Sequence, residues 1–348
     1  MRYIVHGAGA IGSLIGGLLA AKGADVIFIA RPAQAEIIKQ RGLTIHSVYH
    51  PTKHISQVKV VTSPHELVPQ PDDVLLLAVK SSQTNQCIHE LQEVYSQSTP
   101  IFCLQNGVRN ESLVAERFLH VYGVMIAACV NLIEPGVIAH TLKQDLVLGN
   151  YPLGCDDVAT RVAQDLSEAG FNAVLSAHVM AAKWGKLVLN LTNALLAITG
   201  HHLQLAWATP DVSLLMAEVQ EEGLRVVEAA GIPLEEGNSP LDVYAMTKKV
   251  REVGEQTPDL EAIRAADDLS VQQRTYVSTW ADLQQRRGET EASYLNGEIL
   301  LLGEKYHIPT PYNFTLLDIV ERMAAEQALP GKYSVSELRQ MIDRREEP

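Results

Sequence analysis

Residues 7 to 12 read GAGAIG, and no other six residues so restrict what this chain can fold into. They follow the β-rich run RYIVH and open an apolar run of helical character that closes at Lys22-Gly23. In a strand, turn and helix, Gly7 permits the tight turn, Gly9 lets the backbone approach a pyrophosphate, and Gly12 lets helix and strand pack closely. The helix N-terminus adds unpaired N–H donors and a partial positive charge. Gly7, Ala8, Gly9, Ala10, Ile11 and Gly12 are therefore read as a dinucleotide site; the alternative is a turn that merely needs small residues. Arg2 ahead of an apolar stretch mimics a secretory signal, but the glycine punctuation favours strand, turn and helix.

The same alternation continues downstream. DVIFIA is a strand and AQAEIIKQRG a helix closed by Gly42; LTIHS and QVKVVTS are extended. DVLLLAVK and PIFCLQNG are buried strands with the helical SQTNQCIHELQEVYS between them. Strands alternating with helices imply a parallel, doubly wound sheet. Residues 121 to 149 read as antiparallel strands with a turn at Glu134-Pro135-Gly136. From about residue 155 the pattern is helical to the end, with polar loops around one amphipathic helix between roughly 235 and 270. The expectation is an α/β chain: a doubly wound N-terminal domain over 1–175, then an all-helical domain over 176–348, with the boundary near 170 to 180.

Composition narrows the partners. A formal charge of -13 argues against nucleic acid or an anionic membrane surface, which require a basic footprint. No run approaches the ~20 uninterrupted apolar residues of a membrane span. Cys87, Cys103, Cys129 and Cys155 form no CxxC pair, so they are read as free, buried thiols of a cytoplasmic protein. His46, His50 and His54 mimic helical spacing, but Pro51 and the β-branched residues around them imply extended chain, so no metal site is expected.

Candidate site residues gather at strand ends and on one helix. Where NAD sites usually place an acid after the second strand, this chain has Arg31. A guanidinium suits a 2′-phosphate, so NADP is the expected cofactor; the alternative is a solvated arginine. Two further strands end in Lys80 and in Asn106, at the edge where α/β sheets bind ligands. In KWGKLVLNLTNALLA, residues 183 to 197, Lys186, Asn190 and Asn193 fall in a stripe about 60° wide among leucines and valines. A polar line on so apolar a helix implies a cavity; an interdomain hydrogen-bond network is the alternative. Reducing a ketone needs a hydride at carbon and a proton at oxygen, and a lysine can donate that proton. Ser278 could bond a substrate carboxylate and Glu291 a substrate hydroxyl.

Taken together, GAGAIG, AVKSSQT, LQNGV, EPGVIAHT, KWGKLVLN, STWADLQQRRGETEASYLNG and HIPTPYN resemble, in order and separation, the ketopantoate reductase family. The resemblance implies a Rossmann domain, a helical C-terminal domain and an active site between them. It implies NADPH-dependent reduction of ketopantoate to (R)-pantoate, on the route to pantothenate and coenzyme A. In that likeness Arg31 reads the 2′-phosphate, and Lys80 and Asn106 line the cofactor crevice. Lys186 is the catalytic lysine, Asn190 and Asn193 bond substrate, Ser278 sits near its carboxylate, and Glu291 holds substrate and helps orient the lysine. The chain departs from the family where Ala194 takes the place of the usual second asparagine, at Val277-Ser278, and in the spacing from Asp282 to Glu291. Another 2-oxo acid on the same scaffold is the first alternative, and a non-catalytic NADP-binding protein the second. The partner is a small 2-oxo acid, and a homodimer is the assembly this reading admits.

Overall fold

A strand buried on both faces belongs in the middle of a parallel sheet, and Arg2–His6 is buried along its whole length. A computed structural model describes residues 1–141, 145–235, 242–270 and 273–346. The strands are β1 (Arg2–His6), β2 (Asp25–Ile29), β3 (Leu43–Ser47), β4 (Lys53–Ile55), β5 (Lys59–Val61) and β6 (Asp73–Leu77), followed by β7 (Ile101–Cys103), β8 (Val121–Ala127), β9 (Val130–Glu134), β10 (Val137–His140), β11 (Asp145–Asn150) and β12 (Asn172–Leu175). One sheet runs β12-β11-β8-β7-β6-β1-β2-β5, parallel throughout except where β8 meets β11. The chain first builds β2 and β5 on one side of β1, then β6 and β7 on the other. The switch point therefore lies between β1 and β6, where open α/β sheets bind their ligands.

Each face of β1 has its own cover. Tyr3 and Val5 pack with Leu14 and Leu18 of α1 (Ala10–Ala21). After α2 (Pro32–Arg41), α3 (Thr84–Gln92) covers the opposite face, where Ile4 packs with Cys87, Ile88 and Leu91. Register between β1 and β6 is marked by a buried, bidentate pair: Arg2 Nε lies 2.6 Å from Asp73 Oδ1 and Nη2 lies 2.7 Å from Oδ2. α4 (Asn110–Ala115) and α5 (Asp157–Glu168) complete the helices before β12.

The hairpin turning at Gly136 forms as expected, with φ +82 at that glycine, and β9 and β10 join β3 and β4 in a second sheet, β4-β3-β10-β9, with β10 parallel to β3. Alternation identifies a strand and says nothing of its partner. The helical reading from residue 155 misses β12, a four-residue strand that pairs only with β11 and is largely exposed, so it carries no periodic signal. Of the cysteines, read as buried, Cys87 and Cys103 are buried, whereas Cys129 is half-buried and Cys155 exposed. His46 and His54 lie on strands, as expected. Among the described residues no group of three or more His, Cys, Asp or Glu could hold a metal ion.

Packing divides the chain between Lys183 and Trp184, inside α6 (Val179–Asn190) rather than at residue 175. The first turns of α6 belong to the first unit because Val179 lies against Gly123 of β8, so close that a Cβ on that glycine would come within 3.2 Å of it. The second unit is helical throughout its described residues: α7 (Thr192–Thr199), α8 (Leu203–Ala208), α9 (Pro210–Ala229), α10 (Val243–Gly254), α11 (Leu260–Asp267), α12 (Ser278–Gln284), α13 (Asn296–Tyr306), α14 (Pro311–Ala325) and α15 (Val335–Glu346). α9 is its spine, and α7, α8, α10, α13, α14 and α15 pack on it. The polar stretch holds two helices, α10 and α11, where one was read; the loop read at 236–241 lies outside the described residues. Among the described residues no helix is long and apolar enough to cross a membrane.

Candidate functional site

In the first unit the glycines serve different ends. Gly7 turns the chain at φ +113, and a Cβ there would lie 2.8 Å from the carbonyl carbon of Ala78, just beyond β6. At Gly12 a Cβ would lie 1.9 Å from the Gly7 oxygen. Both are fixed by the protein's own packing. At Gly9 a Cβ would meet nothing within 4 Å, which is the space a pyrophosphate requires. Gly9 also caps α1 without any side-chain bond, and the first backbone bond back to it comes from Ser13 N at 2.9 Å. The amides of Ala10, Ile11 and Gly12 are thus left without intrahelical acceptors at the positive end of the helix. Ala8 is buried, and its carbonyl accepts bonds from Ser13 Oγ at 3.0 Å and from Gln34 Nε2, which pins the loop. These residues fit a dinucleotide phosphate. His6, just before the loop, is buried with no partner at Nδ1; burial pushes its pKa down to about 4 against an opposing pull from Glu90.

The neighbouring strand ends carry the other candidates. Arg31 follows β2 as an exposed residue at the N-cap of α2. Lys80 follows β6, half-buried, ahead of a 3-10 turn at Ser81–Gln83; Asn106 follows β7, also half-buried. A buried polar network that sequence reasoning missed ties the last two turns together. Asn110 Nδ2 donates to Ser81 Oγ at 3.1 Å and to the Asn106 carbonyl at 2.9 Å. Thr84 Oγ1 donates to Asn110 Oδ1 at 2.8 Å and accepts from Gln105 Nε2 at 2.7 Å. Lys80-Ser81 and Gln105-Asn106 are thereby held side by side.

A second feature escaped the sequence reading. Lys183, 4% exposed, forms an ion pair with Glu111, which is wholly buried, and donates to the Gln105 carbonyl at 3.1 Å. In sequence the polar stripe is marked from Lys186, and the local spacing does not single out the lysine one turn earlier.

In the second unit the stripe sits on two helices rather than one. α6 ends at Asn190 and α7 begins at Thr192. Leu191 keeps helical backbone angles, but its N–H is shared between the carbonyls of Leu187 at 3.1 Å and Val188 at 3.2 Å, and its own carbonyl accepts from Asn296 Nδ2 at 3.0 Å. Lys186 and Asn190 are half-buried and Asn193 is buried. Ser278 opens α12 and is exposed; α12 packs on α7. Glu291, half-buried, caps a 3-10 turn at Ala292–Tyr294 that leads into α13.

Asn296, at the start of α13, continues into a buried chain of bonds. It donates to Asn313 Oδ1 at 2.8 Å, and Glu222 accepts from Asn313 Nδ2 at 2.8 Å, Asn313 N at 2.8 Å and Tyr312 N at 3.0 Å. Glu222 is wholly buried on α9 and satisfies the orphan amides at the start of α14. Burial pushes its carboxyl pKa up, against the bonds from Asn313 and Tyr312. The segment bearing Glu291 is in this way tied to the α6–α7 junction.

Both halves of the chain match models of one family: ketopantoate reductase PanE/ApbA over residues 3–152, and its C-terminal region over residues 178–324. The 2-dehydropantoate 2-reductase of Pyrococcus horikoshii is 27% identical over 337 residues, covering 95% of this chain and 99% of that one. Among solved structures, a PanE/ApbA family ketopantoate reductase from Ralstonia eutropha JMP134 is 28% identical with a TM-score of 0.76, over 94% and 99% of the two chains. D-mandelate dehydrogenase, in a ternary structure with NADH and anilino(oxo)acetate, is 25% identical with a TM-score of 0.78 over the same shares.

Proposed function

The chain belongs to the ketopantoate reductase family, and on that premise we propose that it is an oxidoreductase that reduces 2-dehydropantoate to (R)-pantoate with NADPH. The observation that carries this reading is similarity across almost the whole length of a relative bearing that activity in its name. The open space at Gly9 and the free amides of α1 support a nicotinamide dinucleotide. Arg31, exposed at the end of β2, is the group proposed to pair with a 2′-phosphate, and Lys80 and Asn106 the groups that hold the rest of the cofactor.

When bound, the reduced nicotinamide supplies the hydride that C2 of the 2-oxo acid receives. Lys186 gives a proton to the oxygen of that carbonyl, so no alkoxide is left uncompensated, and is reprotonated from solvent. Asn190 and Asn193 bond the substrate, Ser278 its carboxylate, and Glu291 its hydroxyl while orienting Lys186; Asn106 bonds the nicotinamide ribose or the substrate. The product then enters the route to pantothenate and coenzyme A. The enzyme is proposed to work in the cytoplasm as a homodimer.

A second reading has its own support. The likeness to D-mandelate dehydrogenase with NADH, together with Ala194 in place of an asparagine, favours reduction of a different 2-oxo acid. Following nicotinamide absorbance with ketopantoate and a panel of aliphatic and aromatic 2-oxo acids, with NADPH and NADH in parallel, decides between them. Turnover of ketopantoate with NADPH supports the first; turnover of an aromatic acid alone, or equal use of NADH, replaces it with the second.

A further inference from the structure

Lys183 and Glu111 stand outside the residues given a role above, yet they are the most deeply buried ion pair among the described residues, with side chains 3% and 0% exposed. A pair so buried gains little net stability, because desolvating two charges offsets their attraction. Its worth is more often in fixing one arrangement of the groups it touches. Glu111 Oε2 has no hydrogen-bond partner, so the carboxylate is held chiefly through Lys183. The ammonium reaches further, to the carbonyl of Gln105, the residue directly before Asn106.

We propose that Lys183 and Glu111 are positioning residues, which clamp the Gln105-Asn106 turn to the first turns of α6. The clamp acts at one end on Asn106 through the Gln105 carbonyl, and at the other on Lys186, one helical turn along the same helix. Asn110 completes it, because its amide holds the Asn106 carbonyl and the Ser81 hydroxyl while Glu111, the next residue, holds Lys183. Lys183 touches neither substrate nor cofactor in this arrangement. The inference rests on the role proposed for Lys186 and Asn106, and is tested by measurements that separate the two.

Removing one partner alone would strand a buried charge and unfold the region, so both must be replaced. In Lys183→Met with Glu111→Leu the charges leave together, and stability should stay close to that of the parent. Without the clamp, kcat should fall on the order of 10²-fold, as expected for a misplaced reacting group, and NADPH should bind more weakly by a smaller factor, because Asn106 is among the groups proposed to hold it. The pH at which the rate titrates should stay put, since Lys186 still supplies the proton. Deuterium exchange of the amides at 105–107 should quicken. Should that variant fail to fold, Lys183→Gln with Glu111→Gln serves instead: it keeps a neutral polar pair whose amide is one atom too short for the Gln105 carbonyl. Unchanged kcat in the folded variant, or unchanged exchange at 105–107, overturns the clamp. If the parent enzyme turns over no 2-oxo acid, the functional proposal fails by itself, and the exchange rates still decide whether the clamp exists.

Discussion

The two units each bury a carboxylate, and they treat it in opposite ways. Glu111 in the first unit faces a lysine; Glu222 in the second accepts from N–H donors of Tyr312 and Asn313. The first arrangement can be deleted as a charge-balanced pair. The second cannot, because the backbone amides of Tyr312 and Asn313 would lose their acceptor in a dry interior, and the Asn313 side-chain amide would keep only the Val219 carbonyl at 3.3 Å. The units also place their functional groups differently. In the first, the candidate groups lie at strand ends, as backbone amides and as side chains; in the second, they are side chains on helices and at helix starts.

The largest effect should come from the chemistry carried by the second unit. Lys186→Ala should cut kcat by about 10²–10⁴-fold, the range for losing a general acid, while NADPH titrated by its fluorescence binds as before. A comparable loss of NADPH affinity would break the division between a binding unit and a reacting one.

Glu222→Ala comes next and bears on the buried carboxylates. It should cost about 3 kcal/mol, from stranded amides at the start of α14, and lower the unfolding temperature of its unit by roughly 10 °C. All three tryptophans, Trp184, Trp207 and Trp280, lie in that unit, so their fluorescence should report the loss. Lys183→Met with Glu111→Leu should not move this signal. Equal destabilisation by both would mean that the two carboxylates are not held differently after all.

The same contrast explains what could be read from sequence. Gly7, Gly9 and Gly12 announce their roles because only glycine satisfies a positive φ, a close strand–helix contact or open space at a phosphate. The strand-end residues Lys80 and Asn106 followed from the rule that parallel sheets bind ligands at their carboxyl ends. Lys183 did not, because nothing in the local spacing tells a lysine that pairs with Glu111, 72 positions away, from one in solvent. Nor could the break at Leu191 be read, since both helices have helical period and Leu191 itself is helical. The carbonyl it offers Asn296 is a tertiary bond with no sequence signature.

A smaller effect should single out the first unit. His6 is neutral in the fold, its pKa lowered to about 4 by burial, while in the unfolded chain it titrates near its ordinary value. Between those limits the unfolded state binds more protons, so stability falls as pH falls. The loss should be roughly 2 kcal/mol by about pH 5. His6→Leu should flatten this acid limb, with circular dichroism of the sheet changing more than tryptophan fluorescence from the second unit. Acid sensitivity that survives the substitution would assign it to another group.

The smallest effect tests whether the binding unit also chooses the cofactor. Arg31 lies exposed at the end of β2, so its pairing with a 2′-phosphate is partly screened by water and worth less than a buried one. Arg31→Gln should raise KM for NADPH about tenfold, the equivalent of one charge-assisted contact of 1.4 kcal/mol, and leave KM for NADH and both kcat values nearly unchanged. A variant in which NADPH and NADH weaken together would show that Arg31 supports the glycine loop rather than reading the phosphate. A variant in which neither changes would move the choice of cofactor away from the end of β2 altogether.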